Sequence, residues 1–116
     1  RIAGLGNTIV LTGDEHQNFA GDLVHRDRVV GSEFVATSIS SGGDGSDLRQ
    51  GSDVFLANNP EVKFVNDQRG YVTCEVSREA WRTHYMVMDR VTTPGGSISR
   101  RATAEVAHGA TGVRMG

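Results

Sequence analysis

The sequence predicts a β-rich α+β fold in which most strands run antiparallel. Tyr71–Val76 and Trp81–Met88 each alternate in side-chain character across a short polar turn, the pattern of an antiparallel hairpin. Fifteen glycines against two prolines in 116 residues read as many tight turns between short elements, with a modest core. Helical character is confined to short stretches. A chain of this length forms one domain or part of one.

In chain order, Thr8–Thr12 (T-I-V-L-T) is apolar and β-branched, which predicts a short buried strand. Gly13–Asn18 is a turn. Asn18–Val24 reads either as a helical turn capped by Asn18 or as the start of another strand. His25-Arg26-Asp27-Arg28 is a charged loop. Val29-Val30 and Glu33–Ile39 read as strand. Ser40–Gly51 (S-S-G-G-D-G-S-D-L-R-Q-G) is a loop, either a flexible surface segment or the mobile rim of a site. Asp53–Asn58 reads as a short helix with Asp53 as its cap, stopped by Pro60. Glu61–Val65 is a strand, and Asn66–Gly70 a turn into the hairpin. Thr92–Arg100 is a loop, Thr103–Val106 a last edge strand, and residues 109–116 a frayed tail.

Composition excludes several classes. A formal charge of −2 and the absence of a basic run argue against phosphate-backbone binding. No apolar stretch approaches the ~18 residues of a membrane span. With Cys74 as the single cysteine, no intrachain disulfide is possible. The chain opens Arg1-Ile2-Ala3 without Met, which reads as a processed or recombinant product from which any targeting segment could have been removed.

Thr12-Gly13-Asp14-Glu15-His16 carries the sharpest chemical signal. In near-extended backbone, residues i and i+2 project to the same side, so Asp14 and His16 would point together. A hard oxygen and a borderline nitrogen aimed at one point suit a metal ion. The competing reading is a turn bent at Gly13, with Asp14 bonded to local backbone. Arg69, in a turn beside Gly70, either shapes that turn or clamps an anion through its guanidinium. Cys74 alternates onto the apolar face and reads as a buried thiol. His25 and His108 read as surface residues and His84 as a packing residue. Ser38, Ser40 and Ser41 precede Gly42-Gly43 without the nucleophile-elbow or phosphate-loop spacing.

Several stretches together resemble a known family. Ile9-Val10-Leu11-Thr12-Gly13-Asp14-Glu15-His16, with Asn18-Phe19-Ala20 and Asp22-Leu23, resembles the V-V-L-T-G-D-V-H-x-N-W-A-x-D-L segment of PhoD-like alkaline phosphatases and phosphodiesterases. Gly31–Gly43, then Asn59–Phe64 with Gln68–Cys74, then Trp81–Tyr85, are similar to the segments that follow, in order, over residues 8–90. The resemblance implies a calcineurin-like metallophosphoesterase: a β-sandwich flanked by helices, with loops at strand ends holding a dinuclear metal site. It implies phosphoester hydrolysis by a metal-bound hydroxide. Asp14 and His16 would be metal ligands, and Asn18 and Arg69 phosphate or substrate contacts. Iron and calcium are the implied metals, with Asp14 in place of a first His favouring the harder cation. A secreted or periplasmic location is implied as well.

The family's earlier ligand motifs, including the one that carries its catalytic His, are absent, and Phe19 stands where Trp is usual. Residues 1–116 therefore read as the C-terminal segment of an incomplete catalytic domain. It supplies the last metal-ligand turn, holds no assigned catalytic residue, and is expected to be inactive without the N-terminal part of the same protein. Its partners would be that N-terminal part and a phosphoester substrate, with no nucleic acid or membrane. The alternative is a non-catalytic β-rich binding or interaction module that retains the fold.

Overall fold

The computed structural model describes residues 6–116. The elements are β1 (Thr8–Thr12), β2 (Asn18–His25), β3 (Arg28–Val35), α1 (Ser52–Asn58), β4 (Val62–Asn66), β5 (Gly70–Val76), β6 (Ala80–Met88), β7 (Ile98–Ala107) and β8 (Arg114–Met115). They form two four-stranded sheets, in the orders β1-β3-β2-β4 and β5-β6-β7-β8. β1 runs parallel to β3, and the other pairs are antiparallel. This is the predicted β-rich architecture, with one short helix among the described residues.

The sheets meet in a single core. Ala20, Phe34 and Phe64 come from the first sheet, and Tyr85, Ala102 and Ala104 from the second, joined by Val113. Phe64 and Tyr85 pack with ring centroids 4.9 Å apart. The Tyr85 hydroxyl donates to the Phe19 carbonyl at 2.5 Å, a polar bond from sheet to sheet. The Arg101 guanidinium lies 5.5 Å from the Phe64 ring centroid and binds Asp47 at 2.6 Å. Burying these apolar side chains drives the two layers together.

The β5–β6 hairpin follows its alternation, from Gly70 opposite Val87 to Val76 opposite Trp81. Ser77 closes it: its Oγ accepts the Glu79 and Ala80 N–H groups, each at 3.2 Å. β3 is one strand through Gly31-Ser32 and ends at Val35, short of Ile39. Pairing with β1 on one side and β2 on the other overrides the weak strand propensity of those two residues.

Other expectations are corrected. Asn18 opens a strand, so the helical alternative for Asn18–Val24 falls. The loop expected over His25–Arg28 is only Arg26-Asp27, both left-handed (φ 51° and 62°), with His25 paired to Arg28. Two-residue hairpins need positive φ, and here no glycine signals it. Gly51, not Asp53, is the N-cap of α1; Asp53 sits in the first turn, where a carboxylate favours the helix dipole. The expected edge strand at Thr103–Val106 lies in the C-terminal half of a ten-residue strand paired on both sides.

The expected frayed tail is also ordered. Arg114 and Met115 pair with β7, Val113 is buried, and its N–H donates to Asp22 Oδ1 at 2.7 Å. Cys74 is exposed, because β5 is an edge strand whose residues beyond Val72 are open to solvent on both faces.

Candidate functional site

Three connections converge at the C-terminal end of β1. The turn after β1 spans 13–17, the β3–α1 loop begins at Ala36, and the link between the sheets is 67–69. Backbone bonds join them: Ala36 N donates to Thr12 O at 3.0 Å, and Gly70 N to Ser38 O at 3.1 Å.

The turn after β1 is not extended. Asp14 (φ 73°) and His16 (φ 59°) both take the left-handed conformation, which is costly for residues other than glycine and tolerated best by Asp, Asn and His. The expected i, i+2 alignment therefore does not hold. The backbone coils, and Asp14, Glu15 and His16 stand exposed to solvent. Gln17 and Asn18 turn back inward.

Asn18 is wholly buried and both ends of its amide are engaged. Its Oδ1 accepts Thr37 N–H at 3.1 Å, and its Nδ2 donates to Asn66 Oδ1 at 3.1 Å. Asn66 donates onward to Asp47 Oδ1 and Gln68 Oε1, each at 3.0 Å. Asp47 is held below the usual carboxylate range, first by its hydrogen bond from Arg101 and then by Asn66 and the Arg101 charge; burial works against the shift.

Arg69 is 2 % exposed. Its Nη1 donates to Ser41 O at 2.8 Å and Ser38 Oγ at 3.3 Å; its Nη2 donates to Asp67 Oδ1 at 3.0 Å and to the Asp67 carbonyl. The Nε is buried without a hydrogen-bond partner among the described residues. Arg49 shares the Asp67 carboxylate at 2.6 Å. The loop is held internally by Ser38 Oγ donating to Ser41 O at 2.6 Å.

Gly42 lies between the two candidate groups. A Cβ placed there would stand 2.9 Å from Arg69 Nη1 and 3.9 Å from His16 Nδ1. The structure thus brings His16, Arg69 and the serine–glycine loop together around one residue. The other histidines belong elsewhere. His25 is exposed at a hairpin, and His108 is exposed beyond β7. His84 is buried against Thr103 Oγ1 at 2.9 Å, the expected packing role.

Sequence reasoning missed Asp67, Ser38 and Ser41 as the residues that hold Arg69. The only hint was Gly42-Gly43 after a strand, which allowed a rim loop without showing what it met.

Asp14 and His16 offer one carboxylate oxygen and one imidazole nitrogen, both at the surface, a donor pair that suits part of a coordination shell. Among the described residues, no group of three or more His, Cys, Asp or Glu side chains stands close enough to complete one. Asp14 and His16 alone would leave a metal ion's coordination shell incomplete.

A profile of the PhoD-like phosphatase family matches residues 1–85. The chain is similar to alkaline phosphatase D of Bacillus subtilis (strain 168), at 46% identity over 116 residues, covering 95% of this chain and 20% of that protein. Among solved structures it is similar to one titled "Structure of PhoD", with a TM-score of 0.89 and 44% identity, covering 96% of this chain and 22% of the other. The chain spans about a fifth of the length of the curated relative it matches.

Proposed function

We infer from its membership of the PhoD-like phosphatase family, to which this chain belongs, that residues 1–116 are the C-terminal segment of a metal-dependent phosphoester hydrolase. The observation that carries this reading is the turn after β1. Within a chain 46% identical to an alkaline phosphatase, that turn exposes Asp14 and His16 at the strand end where three connections meet.

In this reading Asp14 and His16 are ligands, the carboxylate suited to calcium and the imidazole to iron. Bound metal ions would supply Lewis-acid neutralisation of charge on the phosphoryl oxygens. The chain's own residues orient the donors. Asn18, Thr37 and Asn66 fix where β2 begins and so where the turn ends. Arg69 holds the loop that passes beside His16, through Ser38 and Ser41.

The rest of the site would come from the N-terminal part of the same protein. The surface supports such a partner. β1 is an edge strand, and Leu11 on it is 54% exposed; an open edge with apolar side chains is a surface that other chain segments cover. A secreted or periplasmic location is part of the same proposal and rests on the family alone. Among the described residues no helix is long and apolar enough to cross a membrane.

The alternative, a non-catalytic β-rich module, is favoured by the lack of a three-donor cluster among the described residues. Hydrolysis of a chromogenic phosphodiester with added iron and calcium separates the two. The complete protein turns over, the isolated chain does not, and Asp14→Ala or His16→Ala in the complete protein loses ~100-fold or more. Clear turnover by the isolated chain, or full activity in both variants, would overturn the reading.

A further inference from the structure

We propose that Arg69 is a positioning residue: its buried guanidinium clasps the Ser38–Gly45 loop and, across Gly42, sets the place of the His16 imidazole. It acts on the reaction through that loop and not by touching the phosphoryl group. The inference rests on the phosphoester hydrolase reading above.

The donor inventory carries the argument. A guanidinium has five N–H groups, two on each terminal nitrogen and one on Nε. Nη1 faces two acceptors of the loop, Ser41 O at 2.8 Å and Ser38 Oγ at 3.3 Å. Nη2 faces two acceptors of Asp67. The fork that binds a phosphate in two-point fashion is therefore spent on protein oxygens. Only Nε lacks a partner among the described residues, and it is buried.

The loop is shaped to receive this group. Gly42 (φ 92°) and Gly45 (φ 68°) are both left-handed. A Cβ on Gly42 would stand 2.9 Å from Nη1; one on Gly45 would stand 3.0 Å from Nη2 and collide with the Asp67 carbonyl. Both glycines let backbone close onto a flat cation. A Cβ on Gly42 would also stand 3.9 Å from His16 Nδ1, so the loop at Gly42 passes beside the imidazole and its position bears on the space the ring occupies. Asp67 is tied to the far end of the loop as well, its N–H donating to Ser46 O at 3.1 Å.

The test uses the complete protein loaded with iron and calcium, in three variants: Arg69→Met, Arg69→Lys and Gly42→Ala. Four quantities are read: kcat, KM, the inhibition constant of inorganic phosphate, and hydrogen exchange of segment 38–45. A misplacement of ~1 Å can cost ~100-fold in rate. Arg69→Met is expected to lower kcat by about 10- to 100-fold and to speed exchange of segment 38–45, with KM and phosphate inhibition unchanged within about twofold. Gly42→Ala, which keeps the guanidinium, is expected to reproduce that pattern. Should Arg69→Met fail to fold, Arg69→Lys and Gly42→Ala decide.

A rise of ~10-fold or more in KM and in the phosphate constant on removing Arg69, with segment 38–45 still protected and Gly42→Ala like the parent, makes Arg69 a phosphate ligand and overturns the proposal. Unchanged kcat in Gly42→Ala despite faster exchange overturns it too, since the loop would then not govern His16. Full activity in His16→Ala would instead remove the hydrolase reading on which the inference stands.

Discussion

Asn18 and Asn66 face each other across β2 and β4, both fully buried, with Asn18 Nδ2 3.1 Å from Asn66 Oδ1. Asn18 also accepts the Thr37 N–H, so one side chain ties two strands and the start of the β3–α1 loop. Asn18→Ala leaves the Thr37 N–H without its acceptor, while Asn66 Oδ1 keeps the Gln68 N–H at 3.0 Å. An unmet buried polar group costs ~1–3 kcal/mol. Denaturant unfolding is expected to show a loss of about 2 kcal/mol. A loss near zero would mean that water replaces the amide freely.

Tyr85 is fully buried and its hydroxyl is bonded to the Phe19 carbonyl. Burial above all, and the nearby Cys74 charge in second place, push its phenol far above the ordinary tyrosine range. The charged form is the deprotonated one, so the folded state resists ionisation more than the unfolded state does. The stability from this group is whole below the unfolded pKa of ~10 and is lost as pH rises from there toward the folded value. In a Tyr71→Phe background, the ultraviolet tyrosinate signal is expected to appear only together with alkaline unfolding. Ionisation of Tyr85 in a protein that remains folded would contradict this. Tyr85→Phe is expected to cost ~1 kcal/mol at neutral pH.

Asp44 and Asp47 both lie below the usual carboxylate range, for different reasons. Asp44 is held down chiefly by the Val91 N–H, then by Thr92 N–H and hydroxyl; Asp47 is held chiefly by Arg101. Depressed folded values give stability that is present above ~3.9 and lost as pH falls through the folded values. Acid titration of stability is expected to lose part of its slope in Asp44→Asn and part in Asp47→Asn. High salt should weaken the Asp47 part, an exposed ion pair, and spare the Asp44 part, made of backbone bonds. Equal salt sensitivity of the two would count against this assignment.

Alternation was enough to place β5 and β6, because a half-buried antiparallel hairpin writes its period directly into the sequence. The pairing of β7 was hidden, since Ser99, Arg100 and Arg101 carry no strand signal and owe their conformation to β6 beside them. Arg26-Asp27 shows the same limit, a two-residue turn without the glycine that usually marks one. At the site, Asp14 and His16 could be picked out by type and family pattern, but their left-handed backbone could not. Burial of Arg69 was unreadable: an arginine defaults to the surface, and its acceptors on Ser38 and Ser41 lie 31 and 28 residues away in sequence.

The C-terminal strand offers a separate check. Val113 fills the core, and Gly116 exchanges backbone bonds with Thr103 at 2.9 and 3.1 Å. Burying a valine contributes ~1.5–3 kcal/mol. Deleting residues 112–116 is expected to lower unfolding stability by about 2 kcal/mol, read from the denaturant midpoint. An unchanged midpoint would show that β8 frays in solution.

The central claim is that Asp14 and His16 belong to a metal site completed by the N-terminal part of the protein. Elemental analysis of the purified complete protein tests it most directly, alongside Asp14→Ala and His16→Ala. Near-stoichiometric iron and calcium in the parent, with metal lost from each variant while the fold persists by circular dichroism, is the predicted result. Metal content identical in all three proteins would contradict the account.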